Sequence, residues 1–319
     1  MSTKYVLGVS MLDPSLKNIL VETLSGCIKI KEMDEIGKML NKKFDIYALA
    51  DRTAVQTMGL RSAATVLVDF MESCHITDDL IKLLAELDNN QVLGRTLQLE
   101  GFDYFLQQLT KSGYFYDFSK RKVLPIKNDS SELQNWGALK DGKSYPVTVI
   151  SVDIVSNSEL VKKYGSKTMK KVYTNLWKFL KRSLTHTDGR IWTWAGDGGI
   201  LAFSFKNHVE RSVLFAIEVQ RTIALFNMDV SNPISDPIHL RLGIHTGKLT
   251  YHNDTGQIVS EVINLAAHLE KKKTEAGGIS ITNDVHKGIN SKLQSIFSSI
   301  GDFESVCCYQ TESLDLISC

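Results

Sequence analysis

Two aspartates occupy the positions in this chain that are best suited to metal chemistry. Asp153 is the seventh residue of V-T-V-I-S-V-D-I (147–154), a run rich in β-branched residues that predicts a strand buried on both faces. Asp197 lies between two apolar runs in W-A-G-D-G-G-I, where the Gly-rich connection predicts the tip of a β-hairpin. Mg²⁺ and Mn²⁺ prefer oxygen ligands. If the two strands are neighbours, the two carboxylates can hold a pair of such ions.

The order of the predicted elements brings these two segments together. After Pro146 the sequence predicts a strand (147–154), a helix (158–184), the hairpin, a second helix (208–227) and strands at 239–245 and 247–252. This β-α-β-β-α-β order is that of an α+β fold, a ferredoxin-like palm. In that topology the first strand and the hairpin lie side by side at the centre of the sheet. Asp153 and Asp197 would then face the same point.

The loop that follows Asp153 adds a second feature to the predicted site. It runs from Ile154 to Ser158 and leads into the long helix, and backbone N–H groups at a helix N-terminus attract phosphate. We therefore expect Ser156, Asn157 and Ser158 to contact a phosphorylated substrate. The two acids also suit ordinary structural roles, because aspartate is common in turns and at helix caps. Spacing alone leaves both interpretations open.

Length and composition limit the classes of protein that the chain can represent. Its 319 residues predict two domains, and a content of 43% hydrophobic and 23% charged residues is typical of globular proteins. The net charge of +1 argues against chain-wide binding of nucleic acid. The five cysteines lack metal-ligand spacing. The N-terminal apolar run is too short for a signal peptide, and no apolar stretch reaches the roughly 20 residues of a membrane helix. We expect a cytoplasmic protein that does not enter a membrane.

The first part of the chain has a different pattern. Apolar residues at helical spacing predict a mostly helical domain over residues 1–125, with an aromatic loop at 113–118. This part contains no paired acids, metal-ligand spacing or phosphate-binding loop. We expect it to be a regulatory or interaction module for a protein partner that the sequence does not identify. The polar residues 126–145 predict a linker, so the second domain spans 146–319.

Five segments of the second domain together resemble the class III nucleotidyl cyclase domain, the adenylate and guanylate cyclase family. They are the strand that contains Asp153, W-A-G-D-G-G-I-L-A-F around Asp197, H-L-R-L-G-I-H-T-G (239–247), V-I-N-L-A-A-H-L-E (262–270) and, more weakly, G-G-I-S-I-T-N-D-V (277–285). Four motifs in the family's order are a specific signal, although Gly-Asp alone would not be. The resemblance covers about 146–285, is expected to continue to the C-terminus and leaves the helical module outside it.

The resemblance implies a reaction and a set of residues. The family converts a nucleoside triphosphate to the 3′,5′-cyclic monophosphate and pyrophosphate, in a head-to-tail homodimer whose sites use both subunits. Asp153 and Asp197 match its two metal-binding acids, which hold two Mg²⁺ or Mn²⁺ ions, and Ile154 matches the residue that lends a backbone carbonyl. Arg241 matches an arginine that contacts the triphosphate. Asn264 matches the asparagine that positions the ribose from the partner subunit.

Other positions depart from the family's pattern. Thr193 stands where the family has a purine-recognising lysine, and Gln257 stands at the position of that lysine's acidic partner. His268 replaces the arginine that stabilises charge in the transition state, and the C-terminal lysine that contacts phosphate has no clear counterpart in 301–310. Thr193 and Gln257 are uncharged hydrogen-bonding groups, so they suit a base other than the family's purines, including a pyrimidine. His268 suits either a catalytic position or a packed position on its helix.

Three functions are compatible with this pattern. The first is an active cyclase with an altered base choice, which the two acids and Arg241 favour. The second is an inactive pseudo-cyclase that binds nucleotide or dimerises, which the missing arginine and lysine favour. The third is a GGDEF-type dinucleotide cyclase, which fits the acid pair and the K-K-Y-G turn at 162–165 but not the I-H-T-G strand. A chain that has the metal-binding acids but lacks the family's base-recognising residues could also form a heterodimer with a chain that supplies those residues.

Overall fold

A computed structural model describes residues 12–51, 58–92, 95–127 and 129–314 of the chain. Residues 1–11, on which the expectation about a signal peptide rests, lie outside the described residues. The chain divides into two compact units. The first consists of Met1–Ser130 with Asn135–Leu139, and the second of Ser131–Gln134 with Lys140–Cys319. The domain boundaries given above stay predictions.

The first unit is built mainly from helices. Its helices within the described residues are α1 (Pro14–Cys27), α2 (Ile30–Leu40), α3 (Ile46–Leu49), α4 (Leu60–Ser73), α5 (Thr77–Leu87) and α6 (Phe102–Lys111). Two antiparallel hairpins accompany them, β1 (Gln91–Val92) with β2 (Arg95–Thr96) and β3 (Tyr114–Asp117) with β4 (Lys122–Pro125). Leu20, Leu67 and Phe105 are fully buried. The apolar stripes of α1, α4 and α6 therefore form a core, as their helical spacing predicts.

One local prediction for this unit is wrong. The aromatic segment 113–118 was expected to be a loop, but most of it is strand β3, paired with β4 from Tyr114 opposite Pro125 to Asp117 opposite Lys122. Tyr116 is buried, and the carboxylate of Asp117 accepts hydrogen bonds from the backbone N–H groups of Ser119 and Lys120. An aspartate at the start of a turn stabilises it in this way, and the turn makes the hairpin.

The second unit is an α+β domain, as predicted. Its strands are β5 (Ser144–Ile154), β6 (Arg190–Ala195), β7 (Gly198–Ser204), β8 (Leu240–Thr250), β9 (Ile279–Thr282), β10 (Ser298–Phe303) and β11 (Val306–Gln310). Its helices are α7 (Asn157–Tyr164), α8 (Ser166–Thr187), α9 (His208–Met228), α10 (Glu261–Lys273), α11 (Asn283–Lys287) and α12 (Ser291–Gln294). The first strands and helices follow the predicted β-α-β-β-α-β order.

The strands of this unit form one sheet in the order β10-β11-β9-β8-β5-β7-β6. Strand β5 lies in the interior of the sheet, next to the middle strand β8, and is antiparallel to β7 on one side and to β8 on the other. Strands β8 and β9 are parallel. The hairpin consists of β6 and β7. Strand β7 lies beside β5, as expected, and β6 is the edge strand. The interior place of β5 explains its nearly continuous apolar sequence, because both of its faces are covered.

Helices cover the two faces of the sheet. Leu242 and Ile244 of β8 belong to a core with residues of α8 and α9, among them Leu176 and Phe215. Side chains alternate along a strand, so Gly243 points to the other face, where α10 packs. A Cβ at Gly243 would lie 2.4 Å from the carbonyl oxygen of Ala266. Glycine at this position lets α10 approach the sheet closely.

Two predicted elements differ from the structure, and each difference lies at or next to a glycine. The single helix expected at 158–184 is two helices, α7 and α8, because Gly165 has φ +79° and interrupts the helix. The two strands expected at 239–245 and 247–252 are one strand, β8. Gly247 has no positive φ and pairs with Val147 in the regular register. Among the described residues, no helix is long and apolar enough to cross a membrane.

Candidate active site

Asp153 lies near the end of strand β5, directly opposite Arg241 of β8. On the other side, Val152 is opposite Gly199 of β7, so the end of β5 is beside the start of β7. A Cβ at Gly198 would be 2.3 Å from the carbonyl oxygen of Val152 and 3.4 Å from Oδ1 of Asp153. Only glycine allows the hairpin to come this close to Asp153.

Asp197 sits at the tip of that hairpin. Ala195 pairs with Gly198, which leaves Gly196 and Asp197 as a two-residue turn in place of the four-residue connection suggested by the sequence. Gly196 has φ +69°, a backbone conformation that such tight turns require and that glycine adopts without strain. The turn is at the same end of the sheet as Asp153. The structure thus brings the two predicted metal-binding acids together.

Arg241 contacts two acids. Its Nη2 donates a hydrogen bond to Oδ2 of Asp153 at 2.5 Å. Its Nε lies 3.0 Å from Oε1 of Glu270, which is within ion-pair distance. These two atoms are not aligned for a hydrogen bond, and both are buried without a hydrogen-bond partner. A buried ionic group with unused hydrogen-bonding capacity is unfavourable unless something else binds there.

Glu270 is the functional candidate that sequence reasoning missed. It is buried on the side of α10 that faces the sheet. Burial, and then the neighbouring charge of Asp153, raise the pKa of Glu270 to about 7. The charge of Asp197 also contributes to this rise. A glutamate near the end of V-I-N-L-A-A-H-L-E gave no sequence signal of its own. Only the packing of α10 on Gly243 shows that it faces Arg241.

The residues expected to contact phosphate are at the beginning of α7. Ile154 is the last residue of β5 and is buried. Ser156 has φ +52° and precedes the helix, and Ser158 is exposed in its first turn. Oδ1 of Asn157 accepts a hydrogen bond from the hydroxyl of Tyr173 at 2.6 Å. The N-terminus of α7 therefore lies directly after the strand that carries Asp153.

The segment that contains Gln257 lies beside the edge strand β6, which contains Thr193. Gln257 ends a short 3₁₀ helix (Thr255–Gln257), and the hydroxyl of Thr255 donates to the carbonyl oxygen of Trp192 in β6. A Cβ at Gly256 would lie 3.9 Å from Cγ2 of Thr193. The two predicted base-contacting positions thus belong to neighbouring segments, and neither carries a charge.

Asn264 and His268 are both exposed and lie one turn apart on α10. Nδ1 of His268 lies 2.9 Å from Oε1 of Glu304 in the turn between β10 and β11. The same oxygen is 3.7 Å from Nζ of Lys272. His268 therefore has a surface partner within its own chain and does not pack into the core.

The donor set near Asp153 fits a divalent cation. No group of three or more His, Cys, Asp or Glu side chains suited to a metal occurs in the part of the chain that the structure describes. Two carboxylates, a backbone carbonyl at Ile154 and oxygens from a substrate are nevertheless the hard ligands that Mg²⁺ and Mn²⁺ accept. Beside them, Oε1 of Glu270 is buried without a hydrogen-bond partner, 3.0 Å from Nε of Arg241.

The chain is similar to known proteins. The model of the adenylate and guanylate cyclase catalytic domain matches residues 139–310. The guanylate cyclase domain of RhGC from Catenaria anguillulae, solved in complex with GTP, is 19% identical, with a TM-score of 0.47 over 54% of this chain and 98% of that chain. The adenylyl cyclase CyaB from P. aeruginosa is 20% identical, with a TM-score of 0.46 over 53% and 95%.

An adenylate/guanylate cyclase/hydrolase from Silicibacter pomeroyi is 19% identical, with a TM-score of 0.45 over 53% of this chain and 97% of that one. No curated protein matches the chain. The family model covers more than half of the chain and includes every site residue described above. The chain belongs to the adenylate and guanylate cyclase catalytic domain family.

Proposed function

We propose that the protein is a metal-dependent nucleotidyl cyclase that converts a nucleoside triphosphate to its 3′,5′-cyclic monophosphate. In this reaction the ribose 3′-oxygen forms a bond to the α-phosphorus and loses its proton, and the bond from that phosphorus to pyrophosphate breaks. The observation that carries the proposal is the approach of Asp153 and Asp197 at one end of the sheet, with Arg241 paired to Asp153 at 2.5 Å. The family match supports the same reaction.

Asp153, Asp197 and the carbonyl of Ile154 would hold two Mg²⁺ or Mn²⁺ ions. When bound, such ions lower the pKa of a coordinated hydroxyl and stabilise charge on phosphate oxygens. The N-terminus of α7 supplies backbone N–H groups beside this point, where Ser156, Asn157 and Ser158 can bind phosphate oxygens. The hydrogen bond from Tyr173 to Asn157 fixes the orientation of that side chain.

Arg241 would contact the triphosphate. A guanidinium can donate two parallel hydrogen bonds to a phosphate, which a lysine cannot. In the structure the Nε of Arg241 has no hydrogen-bond partner although it is buried. A triphosphate oxygen at this place would satisfy it, while Asp153 turns to the cations.

The arrangement of α10 supports a site made from two chains. Residues along an α-helix are separated by about 100° each. Glu270 is six residues after Asn264 and is therefore roughly 240° away around the helix. Glu270 faces Asp153 of its own chain, so Asn264 and His268 face away from it. We infer that they act on the substrate held by a partner chain, in a head-to-tail homodimer.

The base choice would be non-standard. Nε2 of Gln257 donates one hydrogen bond to Oδ2 of Asp254 at 2.8 Å, so its second N–H and its carbonyl oxygen are left for a base. Thr193 beside it offers a hydroxyl, which donates or accepts. This pair lacks the positive charge and the negative charge of the family's purine-recognising residues. It suits a different hydrogen-bonding edge, including that of a pyrimidine.

A second candidate function is a pseudo-cyclase that binds nucleotide or dimerises without turnover. It is favoured by the contact between His268 and Glu304. His268 replaces the arginine that stabilises charge in the family, and in this structure it is already engaged by a carboxylate. Loss of such a donor costs on the order of a hundred- to a thousandfold in rate. The pairing of Asp153 and Arg241 would then serve binding alone.

One experiment separates the two candidates. The full chain is incubated with Mn²⁺ and each of the four nucleoside triphosphates, and the products are identified by mass spectrometry. The cyclase is supported if a cyclic monophosphate forms and is no longer formed by Asp197→Ala. Asp229→Ala, at an exposed acid, is the control and should still form it. Absence of product from all four nucleotides, with triphosphate binding retained, supports the pseudo-cyclase.

We also infer that the first unit acts as a regulatory or interaction module, since it contributes none of the site residues. Its protein partner is not specified by any feature of the unit. A cytoplasmic location and the absence of nucleic-acid binding stay predictions from the sequence. A pull-down with the full chain and with a variant lacking residues 1–125 tests the first of these inferences.

A further inference from the structure

The outer side of helix α8 carries only positive charge. The helix has 22 residues, and its sequence contains five lysines, one arginine and no aspartate or glutamate. The exposed cations follow helical spacing, so they form one row along the outer side of the helix, about 22 Å long. We call this row the basic stripe. It consists of Lys167, Lys170, Lys171, Lys178 and Arg182.

Most of these charges are not neutralised by a neighbour. Within the ranges that the structure describes, no acid lies within ion-pair distance of the four lysines of the basic stripe. Arg182 has the charge of Asp229 nearby. At the border of the row, Nζ of Lys181 lies 3.4 Å from Oε1 of Glu132. Like charges on neighbouring turns of a helix repel each other, so an anionic partner along the stripe would relieve this repulsion.

A cavity of about 520 Å³ opens beside the first half of the basic stripe. Nδ2 of Asn175 in α8 donates to the carbonyl oxygen of Ser231 at 3.2 Å, which joins the turn after α9 to the middle of α8. Ammonium and hydroxyl groups along the wall suit a phosphate group. The residues that line this cavity are Lys167, Lys170, Lys171, Thr174, Asn175 and Ser231.

Exposed apolar side chains lie beside the stripe, at the end of α9 and in the turn after it. Leu225 and Met228 are 68% and 71% exposed, and Val230 is fully exposed. The ring of Phe226 packs on that of Phe179 in α8, with 5.6 Å between the ring centres. Together with the hydrogen bond between α8 and the turn, this contact places the three exposed side chains next to the basic stripe. We call these three residues the apolar corner.

The two features together define the partner. A polyanion in water would pair with the cations and leave the apolar corner exposed. The surface of a bilayer with anionic headgroups accepts both features, because its charge attracts lysines and its boundary with the acyl chains takes up apolar side chains. We propose that the basic stripe and the apolar corner form one surface that binds an anionic lipid bilayer.

Such binding is peripheral and needs no membrane-spanning helix. None of the residues assigned to the cyclase reaction belongs to this surface. The proposal therefore does not depend on nucleotide turnover, and a chain without cyclase activity would bind the same bilayer.

The test measures co-sedimentation of the full chain with lipid vesicles. One set of vesicles contains phosphatidylcholine alone, and the other contains about a third of phosphatidylserine. We expect binding to the anionic vesicles at low salt, with an affinity at least about tenfold lower at roughly 0.5 M salt and also on the neutral vesicles. Absence of binding to the anionic vesicles at low salt, or equal binding to both sets, overturns the proposal.

Two charge variants locate the contact. Lys170→Gln/Lys171→Gln should weaken binding to the anionic vesicles about thirtyfold, since each lysine near such a surface is worth about a fivefold change in affinity. Lys287→Gln/Lys292→Gln removes the same charge at exposed positions of α11 and α12 and should change the affinity by about twofold at most. Equal losses in the two variants would mean that the basic stripe is not the contact.

Val230→Ser distinguishes a bilayer from an acidic partner in water. It should weaken binding to the anionic vesicles about fivefold, because the valine leaves water only in a bilayer. Val259→Ser, at a valine that is 88% exposed before α10, is the matched control and should bind normally. If Val230→Ser binds the vesicles as tightly as the unmodified protein, and poly-glutamate displaces the protein from them, the surface recognises acidic polymers and the bilayer proposal is wrong.

Discussion

Arg241 and Asp153 face each other across neighbouring strands, and the guanidinium Nη2 lies 2.5 Å from the carboxylate Oδ2. The pair is partly exposed, with 23% and 29% of the two side chains accessible. In this state the arginine neutralises the acid that a cation would otherwise bind. Binding of the metal and the triphosphate would exchange partners, with the cation taking Asp153 and the phosphate taking Arg241.

Arg241→Lys should raise the KM for the triphosphate about tenfold or more, because an ammonium cannot donate two parallel hydrogen bonds to a phosphate. The charge that pairs with Asp153 is retained, so the fold should be preserved. Steady-state kinetics with Mn²⁺ measures the effect. Arg182→Lys at an exposed position of α8 is the matched control and should leave the KM unchanged. An unchanged KM in Arg241→Lys would remove this residue from the substrate site.

His268→Arg should raise kcat at least tenfold, because it restores a donor that stabilises charge in the transition state. Glu304 lies close enough to hold an arginine as it holds the histidine. The turnover rate with each purine triphosphate is the measurement. His186→Arg, at an exposed residue of α8, controls for added charge. If neither rate nor binding changes, His268 has a role in the fold and not in catalysis.

Gly243→Ala should reduce the free energy of unfolding by about 1–3 kcal/mol. The added methyl would meet backbone atoms of α10, at 2.4 Å from the Ala266 oxygen and 2.6 Å from the Glu270 nitrogen. Urea denaturation measures the loss. Gly247→Ala on the same strand is the control, since its methyl would meet only a side-chain methyl of Val262 at 2.8 Å. A loss as large in the control would show that the close approach of α10 is not the cause.

The approach of Asp153 and Asp197 could be predicted from the sequence because both residues are placed by local structure. A strand end fixes Asp153, and a glycine turn fixes Asp197. Arg241 followed from the family motif. Glu270 could not be predicted in the same way, because its burial results from the packing of α10 on Gly243, which is a tertiary contact. The interruption at Gly165 was missed for a related reason, since glycine within a helical pattern does not by itself show that φ is positive.

The pH dependence of stability should include a contribution from His208. Burial, and then the charge of Arg211, lower the pKa of this histidine to about 4, against 6.5 in the unfolded chain. Below pH 6.5 the unfolded chain binds the proton more tightly, so this group's contribution to stability is lost as the pH falls from 6.5 toward 4. Between pH 7 and pH 5 the loss should be about 2 kcal/mol.

Urea denaturation of the protein and of His208→Gln at pH 7 and pH 5 measures this contribution. The difference between the two pH values should be about 2 kcal/mol smaller in the variant, because glutamine can keep a hydrogen bond to the hydroxyl of Thr148 but does not titrate. Equal pH dependence in the two proteins would mean that His208 is protonated as readily in the folded state as in the unfolded chain.

Asp197→Ala and Asn264→Ala should each abolish turnover, and a one-to-one mixture of the two should recover about a quarter of the wild-type activity per chain. In a head-to-tail dimer the metal half and the ribose half of each site come from different chains. A mixed dimer therefore has one intact site and one site with both substitutions. Random pairing makes half of the dimers mixed. Because each mixed dimer has one intact site out of two, a quarter of all sites are intact.

The measurement is product formation after the two variants are mixed and allowed to exchange subunits. The chain that carries both substitutions, mixed with either single variant, is the control and should recover nothing, because no intact site can form. Lack of recovery in the first mixture, with dimers present by sedimentation, would mean that Asp197 and Asn264 act within one chain. Asn264 is exposed and Glu270 is buried, and the two are about 120° apart around α10. This separation argues for recovery, since it directs the two side chains to different sides of the helix.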